Sequence, residues 1–228
     1  MHFQTGELYH IFNQGNNREK IFFSRENYLS FLTKIKAHIL PHADVLAWCL
    51  MPNHFHLMIY VHTVEVARIE NTDARSLTSA THTMTSSHRM SSSNANHLPL
   101  KQQKLQSINQ SIAILLRSYT RAINEQESRT GSLFRPHTKA ECLTTPQGIT
   151  PSFFNTVFGT RINVRIPEKE YPQACFNYIH QNPIQAKLAK LPEDWEFSSY
   201  PDYCGARAGK LINRKRAEEL GIKYLLIR

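Results

Sequence analysis

The sequence predicts an α+β fold in which helices pack on an antiparallel sheet. Short apolar runs of strand character alternate with longer segments whose apolar residues recur every three or four positions. Two of the apolar runs are separated by only two residues, which is the spacing of an antiparallel hairpin. The length of 228 residues is sufficient for one domain that carries insertions.

The first part of the chain predicts a strand, a helix and a hairpin. Leu8–Phe12 is typical of a strand, and the polar run 13–18 is typical of a turn. Residues 45–51 and 54–61 predict the two strands of the hairpin. Between them and the first strand, a helix is predicted from about residue 25 to residue 39, with one buried face formed by Tyr28, Leu29, Leu32, Ile35 and Ile39.

The later part predicts two more helices and a strand. Leu133 and Phe134 indicate the start of the strand, and residues 171–182 indicate a helix that ends before Pro183. The other helix is predicted from apolar residues three and four positions apart, namely Leu105, Ile108, Ile112, Leu115, Leu116, Tyr119 and Ile123. The order strand, helix, two strands, helix, strand, helix favours a ferredoxin-like sandwich.

Two insertions and a tail are expected to elaborate this core. Residues from about 62 to 100 are rich in Thr, Ser, His and Asn, so we expect a mobile insertion there. A second insertion is predicted at about 142–170. The sequence therefore predicts a domain over residues 1–189 and a basic, aromatic C-terminal tail over 190–228.

Composition narrows the class of partner and the location. The formal net charge of +9 favours nucleic acid as the partner. No apolar run approaches the roughly 20 residues needed to cross a bilayer, and the N-terminus lacks the layout of a secretory signal, so we expect a cytoplasmic protein without a membrane partner. The four scattered cysteines form no C-x-x-C pair, which favours reduced thiols.

His54-Phe55-His56 is a candidate metal site. Alternation along a strand sends both imidazoles to one face and Phe55 to the other face, into the core. Two histidines placed in this way can share one metal ion. The alternative is a polar strand edge that faces solvent. The helical H-E-x-x-H pattern is absent, which argues against a zinc protease.

Tyr178 is the candidate nucleophile. Tyr178 and Asn182 are four residues apart and therefore share one face of a helix. A tyrosine can attack a phosphodiester that is polarised by a divalent cation. The alternative is that Tyr178 is an aromatic residue buried against the sheet. Tyr119 is a rival nucleophile, but its fourth neighbour, Ile123, cannot bind a metal, so we assign Tyr119 to the core.

Several ordered strings carry a family resemblance. They are Cys49–Leu57, Arg129–Phe134, Tyr178–Pro183, and Pro192–Trp195 with Ser198–Tyr200. In these strings the sequence resembles the HUH single-tyrosine transposases, and among them the REP-associated tyrosine transposases. The resemblance covers most of the chain outside the two insertions.

The resemblance implies a metal-dependent DNA transposase. His54, His56 and Asn182 would hold Mg²⁺ or Mn²⁺, and Tyr178 would attack single-stranded DNA to form a 5′-phosphotyrosine. Members of this family typically recognise hairpins formed by palindromic repeats. Two alternatives stay open, namely a domesticated hairpin-binding protein without activity and a metal-dependent nuclease that uses water.

Basic residues outside the candidate site are expected to contact DNA phosphates. The candidates are Arg18, Lys101, Lys104, Arg117, Arg121, Arg129, Arg214, Lys215 and Arg216. Unpaired bases would stack on aromatic side chains. The sequence is compatible with a monomer and with a homodimer.

Overall fold

The structure is a computed structural model that describes residues 1–67, 104–144, 153–156, 159–162 and 170–224, the two short ranges after residue 150 as backbone only. Most of both predicted insertions lies outside the described residues, as do Lys101 and residues 225–228. The described strands and helices follow in chain order: β1 (Leu8–Gln14), α1 (Arg25–His38), β2 (Ala43–Met51), β3 (His54–Val61), β4 (Glu65–Ala67), β5 (Leu105–Ser107), α2 (Ile108–Gln126), β6 (Lys139–Cys142), β7 (Phe153–Thr156), β8 (Gly159–Ile162), α3 (Tyr171–Gln185), α4 (Tyr200–Tyr203) and α5 (Arg214–Glu219).

The central sheet has four strands in the order β2-β3-β1-β6, and every neighbouring pair is antiparallel. This order, with α1 after β1 and α2 before β6, is that of a ferredoxin-like sandwich, so the predicted α+β fold is confirmed. The predicted hairpin is confirmed as β2 and β3, in which Met51 pairs with His54. Gln14, at the end of β1, also pairs with His54, so three strands meet at this end of the sheet.

The turn after β1 uses the left-handed region of the backbone, as its polar composition indicates. Asn17 and Arg18 have φ angles of 52° and 60°. Asparagine tolerates such angles better than most residues. This turn contacts the hairpin, because the amide of Gly15 donates a hydrogen bond to the carbonyl of Asn53 (2.7 Å).

Helices α1 and α2 cover one face of the sheet. The buried residues of α1 are Asn27, Tyr28, Phe31 and Ile35. The prediction was wrong for Leu29, which is 40% exposed, and it omitted Phe31, which is fully buried. The buried stripe is centred on Phe31, which packs against the rings of Phe55 and Tyr119, so Leu29 lies beside the contact.

Helix α2 begins later than its apolar periodicity suggested. A capping box between Ser107 and Gln110 starts the helix at Ile108. Leu105 therefore lies in β5, where it is 59% exposed, and its predicted place on the buried helix face was wrong. The other predicted positions are confirmed as buried, apart from the partly buried Leu116, namely Ile108, Ile112, Leu115, Tyr119 and Ile123.

Helix α3 packs on the opposite face of the sheet. Its residues Cys175, Phe176 and Ile179 belong to a second core that includes Cys49 and Met58. The prediction that Pro183 ends this helix was wrong, because α3 continues to Gln185. Proline lacks an amide hydrogen, but in the last turn this removes a single hydrogen bond, and the buried ring keeps its packing.

The strand expected at Leu133 and Phe134 begins instead at Lys139. Phe134 forms only an isolated bridge with Gly15. Pro136 follows closely and has no amide to donate to a strand ladder. The segment 132–138 thus crosses the end of β1, where the amide of Arg135 donates to the carbonyl of Gln14 (2.9 Å).

Short strands lie within or next to the two predicted insertions. β4, near the start of the first insertion, pairs with β5, which follows that insertion in the chain. β7 pairs with β8 within the range of the second insertion.

The predicted tail packs against β2. The indole nitrogen of Trp195 donates to the carbonyl of Leu50 (3.1 Å), and Ser198 forms a bridge with Cys49. All four cysteines are free thiols, as expected. None of the helices in the described ranges has the length and apolar character required to traverse a bilayer.

Candidate functional site

The two histidines of β3 lie on the face that carries α3. Their ring centroids are 5.0 Å apart, with the planes nearly perpendicular. Phe55, between them, points to the other face, where it packs against Phe31 and Phe134. The alternation predicted from the sequence is confirmed, and its cause is the pleat of the strand.

Helix α3 brings Tyr178 and Asn182 to the same place. The ring of Tyr178 is edge-on to the ring of His56, with a centroid distance of 5.3 Å. One turn later, Oδ1 of Asn182 lies 3.4 Å from Nε2 of His54. The structure therefore gathers all four residues that the sequence singled out for metal binding and nucleophilic attack.

Asn53 orients the first histidine. The Asn53 amide nitrogen donates to the carbonyl of Arg18 (3.2 Å), so its Oδ1 is the atom that faces His54. Nδ1–H of His54 donates to this oxygen at 2.6 Å. A neutral imidazole carries one hydrogen, so Nε2 of His54 keeps its lone pair and directs it toward Asn182.

His10, on β1, is a site residue that sequence reasoning missed. Its Nε2 lies 2.9 Å from Nδ1 of His56, and the two rings stack with centroids 5.1 Å apart. Nε2 of His56 is buried and has no hydrogen-bond partner within the described residues. Spacing in the sequence gave no signal for His10, because only the pairing of β1 with β3 places it beside His56.

Burial sets the protonation states of the site. It lowers the pKa of His54 to about 4, that of His10 to about 3, and that of His56 well below its usual value of 6.5. All three rings are thus neutral near pH 7, the form that binds metals. Burial also raises the pKa of Tyr178 to about 12, an effect that the amide of Asn182 partly opposes.

The atoms of the site fit one divalent cation. Nε2 of His54 and Oδ1 of Asn182 are two acceptors separated by 3.4 Å. Two ligands of one ion lie about 3.4 Å apart when the ion is tetrahedral and about 3.0 Å apart when they are adjacent ligands of an octahedral ion, so the two atoms are within reach of one cation. The orphaned Nε2 of His56 supplies a third donor atom. The described residues contain no cluster of three or more His, Cys, Asp or Glu that could hold a metal. The three donor atoms of this site are two imidazole nitrogens and one amide oxygen.

Such a donor set does not select one metal by itself. Imidazoles suit zinc, copper and iron, whereas amide, water and phosphate oxygens suit Mg²⁺ and Mn²⁺.

Tyr119 is confirmed as a core residue. It is 1% exposed, and its hydroxyl donates to the carbonyl of Ile21 (2.7 Å). Burial also raises its pKa well above that of a free tyrosine. Tyr119 lies on α2, on the face of the sheet opposite to His54 and His56, so it cannot share their cation.

Several of the basic residues expected to bind DNA are engaged within the protein. Arg129 pairs with Glu19 at 2.7 Å, and the guanidinium of Arg214 lies 5.5 Å from the ring centroid of Tyr203. In the same helix as Arg214, Arg216 pairs with Glu219 at 2.7 Å and also with Asp44. Lys215 is 86% exposed and lies 3.9 Å from Glu219.

Other basic residues are exposed, and some line a groove. Arg18 and Lys104 are exposed, and so are Arg117 and Arg121 on α2. Arg117 and Arg121 face a groove of about 750 Å³ between α2 and the segment 132–138, which adds Arg135 and His137. Within the described residues, none of these three arginines is paired with a carboxylate. Arg135 and His137 were not among the predicted DNA contacts. Their place in the groove depends on the contact of segment 132–138 with the end of β1, which the sequence alone does not reveal.

The structure places the histidines of β3 and the tyrosine and asparagine of α3 together on one face of the sheet. A comparison with solved structures found similarity to a REP-associated tyrosine transposase bound to a REP hairpin, with a TM-score of 0.46 and 14% sequence identity over 93% of this chain and 92% of that chain. This neighbour bears the name of the family that the sequence motifs resemble. No family model and no curated protein matched the chain.

Proposed function

We propose that this chain is a transposase-like enzyme that cleaves and rejoins single-stranded DNA at hairpin or repeat ends. The observation that carries the proposal is the convergence of Tyr178 and Asn182 from α3 with His54 and His56 from β3. These two pairs of residues are more than one hundred positions apart in the sequence, and the fold brings their side chains together on one face of the sheet.

Tyr178 is the proposed nucleophile. Its hydroxyl oxygen attacks the phosphorus of a phosphodiester, forming a bond to phosphorus while the bond from phosphorus to the 3′ oxygen breaks. The products are a 5′-phosphotyrosine and a 3′ hydroxyl: the phenol releases its proton as the new bond forms and the departing 3′ oxygen takes one up, so no net proton is gained or lost. Attack by a 3′ hydroxyl on the phosphotyrosine reverses these bond changes and rejoins the strand.

His54, His56 and Asn182 are proposed to hold the cation, Mg²⁺ or Mn²⁺. When bound, such an ion would polarise the phosphodiester and offset the charge that develops during attack. The protein's own contribution is orientation. Asn53 holds the ring of His54 with its lone pair toward Asn182, and α3 holds the phenol of Tyr178 beside His56.

The groove lined by Arg117, Arg121 and Arg135 is the proposed path of the DNA backbone. It begins where Arg135 contacts Gln14, which pairs with His54 at the same end of the sheet. Lys139, at the start of the edge strand β6, lies over the ring of Phe12 and adds positive charge near this end. A single strand that leaves the tyrosine can therefore follow the edge of β6 into the groove.

A hairpin with single-stranded flanks is the substrate to test. The family that the motifs resemble recognises hairpins, and the structural neighbour is described with a bound REP hairpin. Incubation of labelled hairpin DNA with the protein and Mn²⁺ should give a protein–DNA adduct that survives denaturation. The Tyr178→Phe variant should bind the DNA but form no adduct.

Tyr119→Phe provides the matched control. It removes the hydroxyl of another buried tyrosine on a helix that packs against the same sheet. This variant should retain the adduct. If wild-type protein binds the hairpin but forms no adduct with any divalent metal, the chain is an inactive hairpin-binding protein. If Tyr178→Phe still cleaves DNA, the enzyme is a nuclease that uses water.

A further inference from the structure

His10 is buried next to the candidate site, but the proposed function gives it no role. Its side chain is 5% exposed and packs against two rings that also contact each other, that of Phe12 at 4.7 Å and that of His56 at 5.1 Å. The ring of Tyr178 meets it edge-on at 6.2 Å. A polar residue in such surroundings needs partners for both ring nitrogens.

Both nitrogens of His10 face polar atoms. Nε2 lies 2.9 Å from Nδ1 of His56, and Nδ1 lies 4.0 Å from a carboxylate oxygen of Glu141 on β6. His10 and Glu141 are direct partners in the register of β1 with β6. Glu141, His10 and His56 therefore lie in a row on three neighbouring strands, with a hydrogen bond between the two histidines and a longer electrostatic contact between His10 and Glu141. We call this row the chain.

The chain has one favourable arrangement of hydrogens. At 4.0 Å the carboxylate of Glu141 is too far from Nδ1 of His10 for a direct hydrogen bond, but its negative charge favours an N–H rather than a lone pair on the nitrogen that faces it, so the hydrogen of His10 belongs on Nδ1. Nε2 of His10 is then an acceptor, and Nδ1–H of His56 donates to it. The opposite arrangement would direct a lone pair of His10 at the carboxylate and would place the hydrogen of His56 on Nε2.

We propose that His10, supported by Glu141, is a positioning residue that keeps Nε2 of His56 free of hydrogen and directed at the cation. This inference deepens the proposed function, because it presumes that His56 binds a metal. Asn53 gives the same orientation to His54 by a separate hydrogen bond. Each of the two histidines thus has its own partner, one from the hairpin turn and the other from the neighbouring strand.

The tautomer can be read in the metal-free protein. Long-range ¹H–¹⁵N correlation spectra of ¹⁵N-labelled wild-type protein in EDTA distinguish a protonated from an unprotonated ring nitrogen. We expect His56 to carry its hydrogen on Nδ1. A hydrogen on Nε2 of His56 would overturn the inference without any use of activity.

If His10 orients His56 for metal binding, changes at His10 should alter the affinity for Mn²⁺, which calorimetry measures. His10→Leu removes the acceptor and should weaken Mn²⁺ binding by about 10- to 100-fold. His10→Gln keeps an acceptor near the position of Nε2 and should stay within a few-fold of wild type. Glu141→Gln introduces a group that can also donate, so it should weaken binding as well, but less than His10→Leu.

The matched control is His42→Gln. His42 is also fully buried and lies 2.8 Å from a serine hydroxyl, but on the face with α2, so Mn²⁺ affinity should be unchanged. Equal affinities of wild type and folded His10→Leu would overturn the positioning role and leave the proposed function standing. Absence of Mn²⁺ binding by wild-type protein would instead count against the cation site itself.

Discussion

Oδ1 of Asn182 lies 3.4 Å from Nε2 of His54, although the two residues belong to different elements and to distant parts of the sequence. The ring hydrogen of His54 is on Nδ1 and is donated to Asn53. Nε2 of His54 and Oδ1 of Asn182, which face each other, are therefore both acceptors. Two acceptors at this distance repel each other unless a positive charge is shared between them. This geometry supports the proposal that Asn182 binds the cation together with His54.

Substitution of Asn182 should weaken metal binding only when the new side chain lacks an oxygen at the position of Oδ1. Asn182→Leu removes the oxygen and should weaken Mn²⁺ binding at least tenfold, whereas Asn182→Asp keeps an oxygen, adds charge and should bind as tightly as wild type or more tightly. Calorimetric titration measures both. Gln181→Leu, at the neighbouring position of α3, is the control. Unchanged affinity in Asn182→Leu would remove Asn182 from the ligand set.

The groove should govern the salt dependence of DNA binding. Replacing Arg117 and Arg121 with alanine should weaken binding of single-stranded DNA and reduce the slope of log K against log salt by about 1.4, or about 0.7 for each lost phosphate contact. Fluorescence anisotropy over a range of NaCl concentrations measures the slope. Arg25→Ala removes an exposed arginine that is paired with Glu196, and it should leave the slope unchanged. A slope equal to that of wild type in the double variant would place the DNA elsewhere.

The metal-free protein should lose stability as pH falls below neutrality. The folded protein holds His10, His54 and His180 with pKa values of about 3, 4 and 3, whereas the unfolded chain titrates near 6.5. Between these values the unfolded state binds more protons, so acid favours unfolding. At pH 5.5 each histidine contributes about 1.4 kcal/mol of lost stability relative to pH 7.5, about 4 kcal/mol for the three together.

Urea unfolding in EDTA at pH 7.5 and pH 5.5 measures this loss. His180→Gln removes one of the titrating rings and should reduce the difference between the two pH values by about 1.4 kcal/mol. Equal stability of the wild-type protein at both pH values would mean that the rings are accessible to protons in the folded state.

Ser199 should stabilise the attachment of α3 to the sheet. Its buried hydroxyl oxygen accepts a hydrogen bond from the amide of Trp48 (2.9 Å) and lies 2.7 Å from Nε2 of His180, two residues after Tyr178. Ser199→Ala leaves these groups without a partner and should lower the free energy of unfolding by about 1–3 kcal/mol. Urea denaturation measures the change. The partly buried Ser118→Ala is the control and should have a smaller effect; a loss as large as that of Ser199→Ala would contradict a specific role for Ser199.

Local patterns predicted the elements that carry the site. The two-residue spacing of His54 and His56 was enough to place both imidazoles on one face of a strand, because strand side chains alternate regardless of the surroundings. The four-residue spacing of Tyr178 and Asn182 was enough to place them on one helix face. Both relationships are confirmed by the structure.

Predictions at the ends of elements were less successful. Leu105 continues the apolar periodicity of α2 but lies before its capping box, and Pro183 lies inside α3. Leu29 matches the spacing of a buried face and is nevertheless exposed. A local capping box excludes Leu105 from α2, and the position of Pro183 in the last turn of α3 makes it tolerable. The exposure of Leu29 depends on which residues the neighbouring elements bury, and periodicity within one segment does not contain that information.

The sequence by itself determined the α+β class, the hairpin with its paired histidines, and the shared helix face of Tyr178 and Asn182, because each of these follows from backbone geometry over a few residues. Only the tertiary structure decided that α3 packs on the face of the sheet that carries His54 and His56. It also placed His10 and Glu141 behind His56, and Arg135 in the groove with Arg117 and Arg121. These neighbours come from distant parts of the chain, and contacts of that kind arise from strand pairing and from the burial of apolar faces.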